Sequence, residues 1–256
     1  MKYSIIKRLI LLTLLLFLFT CSTPKDFIVL HQVTGPIETN CYLLYDLNSK
    51  EAALFDVGGA IDTLLAQINS RNLELKYILI THCHPDHIVG VPLIKEKYPD
   101  VKICFTKEEY DDMNLYSQWE KKLDPKEVEE AKKDPELLKI MNFDYNTIGE
   151  PDIYLKDNQT LKLGNLKIKT IKSPGHSRGG MCYSVGNVLF SGDVLFYRTV
   201  GRTDLEGGSK EELIKSVRRL YSLLPDEVIV YPGHGESTDI GSEKKENKRI
   251  RLDSVQ

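Results

Sequence analysis

The sequence predicts an α+β fold of two mixed β-sheets packed face to face, with helices on the outer faces. Three observations predict it. Short strand-like runs dominate both halves of the chain, and in each half they lead into an amphipathic helix and a further strand. The residues able to do chemistry sit just after those strands, where a rigid scaffold displays them. At 256 residues, 41% apolar and 28% charged, the chain is long enough for one well-buried domain and is ordinary in composition.

The first twenty residues stand apart. Lys2, Lys7 and Arg8 make a basic start, and 9–19 is apolar apart from Thr13. That core is too short for a comfortable membrane span and suits a secretory signal. Leu18-Phe19-Thr20-Cys21 resembles a bacterial lipoprotein signal. The resemblance implies a signal peptide over 1–20, a lipidated Cys21, a tether over 21–26 and a domain over 27–256 exported and anchored to a membrane. An uncleaved N-terminal anchor is the alternative. Cleavage would remove three of the 34 basic residues and none of the 37 acids, deepening the net charge from −3 to about −6. A mildly acidic body offers no electrostatic case for nucleic acid or anionic lipid. The other cysteines, Cys41, Cys83, Cys104 and Cys182, lack CxxC spacing and read as small buried hydrophobes.

Strands are predicted at 27–33 and 41–45 and, across the polar turn 46–50, at 52–55. Ile61, Leu64, Leu65 and Ile68 recur at i, i+3, i+4 and i+7 and mark a helix with one buried face. A buried strand at 77–80, a helix to about Lys97 and a strand at 101–105 follow. The second half repeats the order. Gly164-Asn165 and Gly186-Asn187 are two-residue hairpin signals, joining strands at 160–163 and 166–171, and at 181–185 and 188–190. Ser209 with Glu212 three residues on opens a helix as a capping box, with Leu213, Val217, Leu220 and Leu224 as its stripe. A last strand is expected at 228–230, then a terminal helix after Gly241.

Between the halves, 107–145 is charged and helical. Asp124-Pro125 and Asp134-Pro135 each read as an N-cap followed by proline at the first helical position. Leu115, Trp119 and Leu123 share a face. Two roles are open: a lid over the site described next, or a surface insertion packing on its own stripe.

Thr81-His82-Cys83-His84-Pro85-Asp86-His87 follows the 77–80 strand. Side chains alternate along a strand end, so His82 and His84 project to one side. The turn after Pro85 can bring Asp86 and His87 back to the same point. Imidazole nitrogens and carboxylate oxygens suit zinc, and also iron or manganese. Further along, His176 stands in Ser-Pro-Gly-His-Ser, Asp193 in Ser-Gly-Asp and His234 in Tyr-Pro-Gly-His-Gly, each after a strand. His31, in a strand-like run, reads as structural.

The order HxHxDH, His, Asp, His resembles the metallo-β-lactamase superfamily over nearly all of 27–255, and within it the glyoxalase II-like hydrolases. Matching words are Asn40-Cys41-Tyr42-Leu43, Asp56-Val57-Gly58-Gly59, Gly192-Asp193-Val194-Leu195-Phe196 and Gly201-Arg202-Thr203-Asp204. The resemblance implies an αββα sandwich with two Zn2+ per chain, iron or manganese being possible. One ion would be held by His82, His84 and His176, the other by Asp86, His87 and His234, with Asp193 bridging. Asp56 would fix a ligand's tautomer. Arg202, and more weakly Arg198, would meet a substrate carboxylate, although an ion pair with Asp204 is the competing role for Arg202. Asp193 stands where the best-known zinc β-lactamases have cysteine, which argues against antibiotic hydrolysis. The chain ends about twenty residues after His234, without the helical domain by which full-length glyoxalase II holds glutathione.

Two metals sharing a water lower its pKa toward about 7 and polarise a carbonyl. Asp86 and Asp193, the carboxylates at the reaction centre, are taken up as ligands, so no dedicated acid is evident. A thiolate of pKa roughly 8.5 leaves without prior protonation, whereas an amide nitrogen needs a proton. The expected activity is therefore hydrolysis of an acyl-thiol of the S-lactoylglutathione kind, or of an ester or lactone. The alternatives are a persulfide dioxygenase with one iron, and a binding lipoprotein that keeps the fold without turnover.

Overall fold

The computed structural model describes residues 26–116 and 125–250. The expected signal, Cys21, most of the tether, Asp124, Trp119 and Leu123 lie outside the described residues. The first half runs β1 (Phe27–Thr34), β2 (Thr39–Asp46), β3 (Glu51–Phe55), α1 (Asp62–Ser70), β4 (Glu74–Leu79), α2 (Pro85–Ile88), α3 (Val91–Lys97) and β5 (Lys102–Thr106). The insertion supplies α4 (Lys107–Tyr116), α5 (Pro125–Ala131), α6 (Pro135–Met141) and a 3-10 turn at Tyr145–Thr147. It is followed by β6 (Ile153–Leu155), β7 (Thr160–Leu163), β8 (Leu166–Lys172), β9 (Met181–Val185) and β10 (Val188–Gly192). The chain then runs through β11 (Leu195–Phe196), β12 (Thr199–Val200), α7 (Lys210–Leu223), β13 (Ile229–Pro232), β14 (Thr238–Asp239) and α8 (Ile240–Glu246).

The first sheet has the order β1-β2-β3-β4-β5-β6, antiparallel from β1 to β3 and parallel from β3 to β6. The second has the order β14-β13-β10-β9-β8-β7, parallel only between β10 and β13. Three apolar clusters show the layering. The middle one joins Leu44, Phe55 and Leu79 of the first sheet to Ile168, Tyr183 and Phe190 of the second. One outer cluster packs α1 and α3 on the far face of the first sheet, and the other packs α7 and α8 on the far face of the second. The result is the expected αββα sandwich.

The local signals act as anticipated. Gly164 and Gly186 have positive φ (59° and 54°), as the two hairpin turns demand. The Ser209 hydroxyl accepts from Glu212 N at 3.3 Å and starts α7. Asp134 accepts from the backbone N–H groups of Glu136 and Leu137 at 2.9 and 3.3 Å and starts α6. One expected helix is two. The chain breaks between α2 and α3 because Gly90 lies against the 56–59 loop, where its N–H bonds Val57 O at 2.9 Å and a Cβ would come within 2.4 Å of Gly59 O.

The two sheets are held by large aromatic contacts. Phe55 stacks on Phe190 with ring centroids 3.7 Å apart, and the Tyr183 hydroxyl donates to Ile80 O across the interface. Phe190→Ala is expected to lower unfolding stability by about 3–5 kcal/mol, the cost of an emptied aromatic core site. Urea unfolding measures it, and a loss under about 1 kcal/mol would mean that the sheets do not depend on this contact.

Candidate metal centre

The parallel strands aim their carboxyl ends at one place. Asp56 follows β3 and the His82–His87 stretch follows β4. His176 comes after β8, Asp193 after β10 and His234 after β13. All seven residues expected to bind metal converge there. Three groups have ligand atoms within 4.8 Å of one another: His82 with His84 and His176; His82 with His87 and Asp193; and Asp86 with His87 and His234. Pro85 at the first position of α2 turns the chain so that Asp86 and His87 face back toward His234.

The outer nitrogens decide what the inner ones can do. His176 Nδ1 lies 2.8 Å from Arg202 O, and His234 Nδ1 lies 3.0 Å from Ile37 O. Carbonyls only accept, so both rings donate outward. His87 Nδ1 donates to Asp56 Oδ2 at 2.9 Å. The Thr81 hydroxyl is itself a donor to Asp56 Oδ2, so it accepts from His82 Nδ1 at 3.0 Å. Each of the four rings therefore turns its Nε2 to the interior.

Those nitrogens face one another. His176 Nε2 is 3.2 Å from His82 Nε2 and 3.0 Å from His84 Nδ1, and His87 Nε2 is 3.2 Å from His234 Nε2. Asp193 spans both groups, with Oδ1 3.4 Å from His87 Nε2 and Oδ2 3.5 Å from His176 Nε2. Asp86 Oδ2 is 3.4 Å from His87 Nε2 and 3.3 Å from His234 Nε2. Buried Asp193 Oδ1 and His84 Nε2 have no hydrogen-bond partner. Nitrogens and carboxylate oxygens that converge this closely in a buried site need protons or a cation between them, and a cation in each group would meet that need. The donor set fits a pair of divalent metals.

The two groups differ in their charge balance. Burial pushes the histidines toward neutrality, taking His84 down to about 3 and lowering His82 and His176. At His87 burial is outweighed by the carboxylates of Asp86, Asp193 and Asp56, which raise its pKa. At His234 burial is outweighed by Asp86 and Asp193. Burial also raises Asp86, but His87 and the bond from His234 overcome it and hold Asp86 at about 2. Asp193 is lowered for the same reason, by His87 first and then His176 and His234.

Asp56 ties the His82–His87 stretch together. It is 2% exposed with φ 54°, a left-handed conformation that aspartate tolerates, and it accepts from Thr81 N, Thr81 Oγ1 and His87 Nδ1 at 2.8, 2.8 and 2.9 Å. Gly233 permits the close approach of the last ligand loop, since a Cβ there would lie 2.2 Å from Asp193 Oδ1 and 2.8 Å from His87 Cε1.

Cys83 is buried beside the ligands, with burial and Glu109 pushing its thiol up, and it belongs to no candidate ligand group. His31 Nε2 bonds Asn40 Oδ1 at 2.7 Å, the structural role expected of it. Arg202 lines the cavity above the site, and its guanidinium makes a two-point ion pair with Asp204 at 2.8 and 2.7 Å. Arg198 is a correction. Its guanidinium bonds Glu243 at 2.7 Å and Glu246 at 2.9 Å, both on α8, and it does not line the cavity.

Sequence reasoning missed Glu109, in the first turn of α4. It is 1% exposed, and it accepts from Cys83 N at 2.7 Å and Gly179 N at 2.9 Å. One carboxylate thereby ties the loop carrying His82 and His84 to the loop carrying His176. Lys107-Glu108-Glu109 reads as an exposed helix start, and only the fold reveals the contact. Glu109→Ala is expected to weaken metal affinity roughly 10- to 100-fold, the usual effect of losing such support, while Glu109→Gln keeps one acceptor and loses less. Competition with a chromogenic chelator measures it, and equal affinities in all three proteins would show that the contact does not hold the ligand loops.

A metallo-beta-lactamase superfamily model matches residues 34–234. The hydroxyacylglutathione hydrolase GloC of Haemophilus influenzae is 33% identical over 220 residues, covering 82% of this chain and 92% of that protein. Among solved structures, the BLEG-1 B3 metallo-beta-lactamase is 32% identical with a TM-score of 0.69, covering 87% of this chain and 99% of its own. ETHE1 from Myxococcus xanthus is 25% identical with a TM-score of 0.67, covering 87% and 84%. With the fold, the strand-end donor set and the family model in agreement, the chain belongs to the metallo-beta-lactamase superfamily and is a metal-dependent enzyme of that fold.

Proposed function

We propose that this protein is a binuclear-metal hydrolase that cleaves a thioester, or a related ester or lactone. Two zinc ions are the first expectation, with iron or manganese as alternatives. The observation that supports this reading is the pair of facing donor groups joined by Asp193. On this reading His82, His84 and His176 would hold one ion and Asp86, His87 and His234 the other, with Asp193 placed between the two groups. When bound, the ions supply an activated water at neutral pH and a Lewis acid for the substrate carbonyl.

The chain's own residues set the rest. Thr81, Asp56, Arg202 O and Ile37 O hold the four outer ring protons, so the rings bind as neutral donors and keep their orientation. Asp86 and Asp193 are ionised at neutral pH, and neither has a proton to give a leaving group. That favours a leaving group that departs as an anion, which a thiolate does and an amide nitrogen does not. The similarity to GloC supports a thioester substrate. The likeness to BLEG-1 keeps β-lactams among the compounds to assay. A one-iron persulfide dioxygenase is the second reading, favoured by the likeness to ETHE1. It would leave Asp86, His87 and His234 converging on no cation.

The zinc-loaded protein is expected to hydrolyse S-lactoylglutathione and simpler thioesters. His234→Ala should lose one of two metal equivalents and at least about a hundredfold in kcat, the scale of lost metal stabilisation. One iron per chain with oxygen uptake on a persulfide would replace this reading with the dioxygenase. Faster opening of a chromogenic cephalosporin than of any thioester would move it to lactams.

A further inference from the structure

The cavity in front of the metal-facing groups bears on which acyl arm reaches them. Its volume is about 450 Å³, within the range of small-molecule sites. Beyond the candidate ligands its wall is chiefly carbon: Ile37 from the β1–β2 turn, Tyr116 from α4, Ile140 from α6, Phe196 from β11 and Leu205 from the loop before α7. Five separate segments contribute one large apolar side chain each. Two of them, α4 and α6, belong to the insertion, so the insertion builds part of the wall.

Each wall residue is placed against the site. The Tyr116 ring stands edge-on to His84, with centroids 4.9 Å apart, and its hydroxyl is buried beside Glu109, so it offers ring carbon to the cavity. Phe196 stands edge-on to His234, with centroids 6.2 Å apart. Ile37 holds the His234 ring through its carbonyl while its side chain, 38% exposed, lines the cavity mouth. Away from the candidate ligands, the charged lining residues among those described are Arg202 and Glu206, of opposite sign, and Arg202 is already forked by Asp204. An anionic substrate end therefore meets one compensated cation and a carboxylate. A small hydroxyacyl group fills little of this mainly carbon wall and leaves most of its apolar area uncovered.

We infer that the site prefers thioesters with an uncharged, medium-length aliphatic or aromatic acyl arm over a short hydroxyacyl group carried on glutathione. This rests on the hydrolase reading above and narrows it. The reaction stays the same: water oxygen bonds the carbonyl carbon, and the C–S bond breaks with its electron pair on sulfur. A carboxylate, a thiolate and two protons taken up by solvent result. Each methylene buried in the wall raises kcat/KM about three- to fourfold until the cavity is filled.

The experiment compares kcat/KM of the zinc-loaded protein on acetyl, butyryl, hexanoyl and octanoyl thioesters of N-acetylcysteamine with that on S-lactoylglutathione. Hexanoyl is expected to exceed acetyl by at least about tenfold, and to exceed S-lactoylglutathione. Leu205→Asp and Ile37→Asp, both at partly exposed positions, should each shrink the hexanoyl-to-acetyl ratio severalfold. Calorimetric titration with octanoate and acetate gives a readout without turnover, octanoate binding at least about tenfold tighter. A flat chain-length series, or preference for S-lactoylglutathione, overturns this inference and leaves the hydrolase reading standing. If no thioester is cleaved, the hydrolase reading fails and the titration decides the cavity alone: tighter octanoate keeps an apolar acid-binding site, and equal affinities overturn it.

Discussion

Four imidazoles in this protein have their outer nitrogens committed to oxygens, at Thr81, Asp56, Arg202 and Ile37. Their inner nitrogens are thereby turned toward one another a little over 3 Å apart, beside two ionised carboxylates. Such a cluster is unfavourable in a buried site without cations, and much of the surrounding structure serves to hold it together. Fixing the far side of four rings is what helps turn seven histidine and aspartate side chains from a solvated polar patch into a preformed donor set.

The fold supplies the fixing. Parallel pairing of β3 with β4, and of β10 with β13, puts Asp56, the His82–His87 stretch, Asp193 and His234 at neighbouring carboxyl ends. Cross-ties then join the loops. Asn40 donates to Pro232 O and Gly235 O at 3.0 and 2.9 Å, bracketing His234, and Glu109 bridges the Cys83 and Gly179 amides. The first tie comes from β2 and the second from the insertion. The insertion is thus neither a detached surface element nor simply a cover: α4 braces the ligand loops at its start and shapes the cavity at its end.

What could be read from the sequence was whatever local chemistry encodes. The HxHxDH stretch and the two Pro-Gly-His turns were legible because each ligand sits within a few residues of a strand end. The Gly-Asn hairpins were legible because their turn geometry needs those residues. The αββα layering followed from the order of elements. Contacts between distant segments were not legible. Glu109 looks like any acidic residue in a first helical turn until β5 delivers it to Cys83, and Arg198 meets its partner Glu243 forty-five residues later. Strands of two or three residues, such as β6, β11 and β14, are too short to show a period. Arg202 shows both limits. Its side chain was singled out for a substrate carboxylate or an ion pair with Asp204, yet its backbone carbonyl, which sets the His176 tautomer, carries no side-chain signature at all.

The most direct test of the proposed two-ion site is anomalous diffraction from crystals of the protein loaded with zinc. Two peaks are expected, one among His82, His84 and His176 and the other among Asp86, His87 and His234, with Asp193 touching both. A single peak confined to one group, with the second group closed on itself by hydrogen bonds, would contradict it.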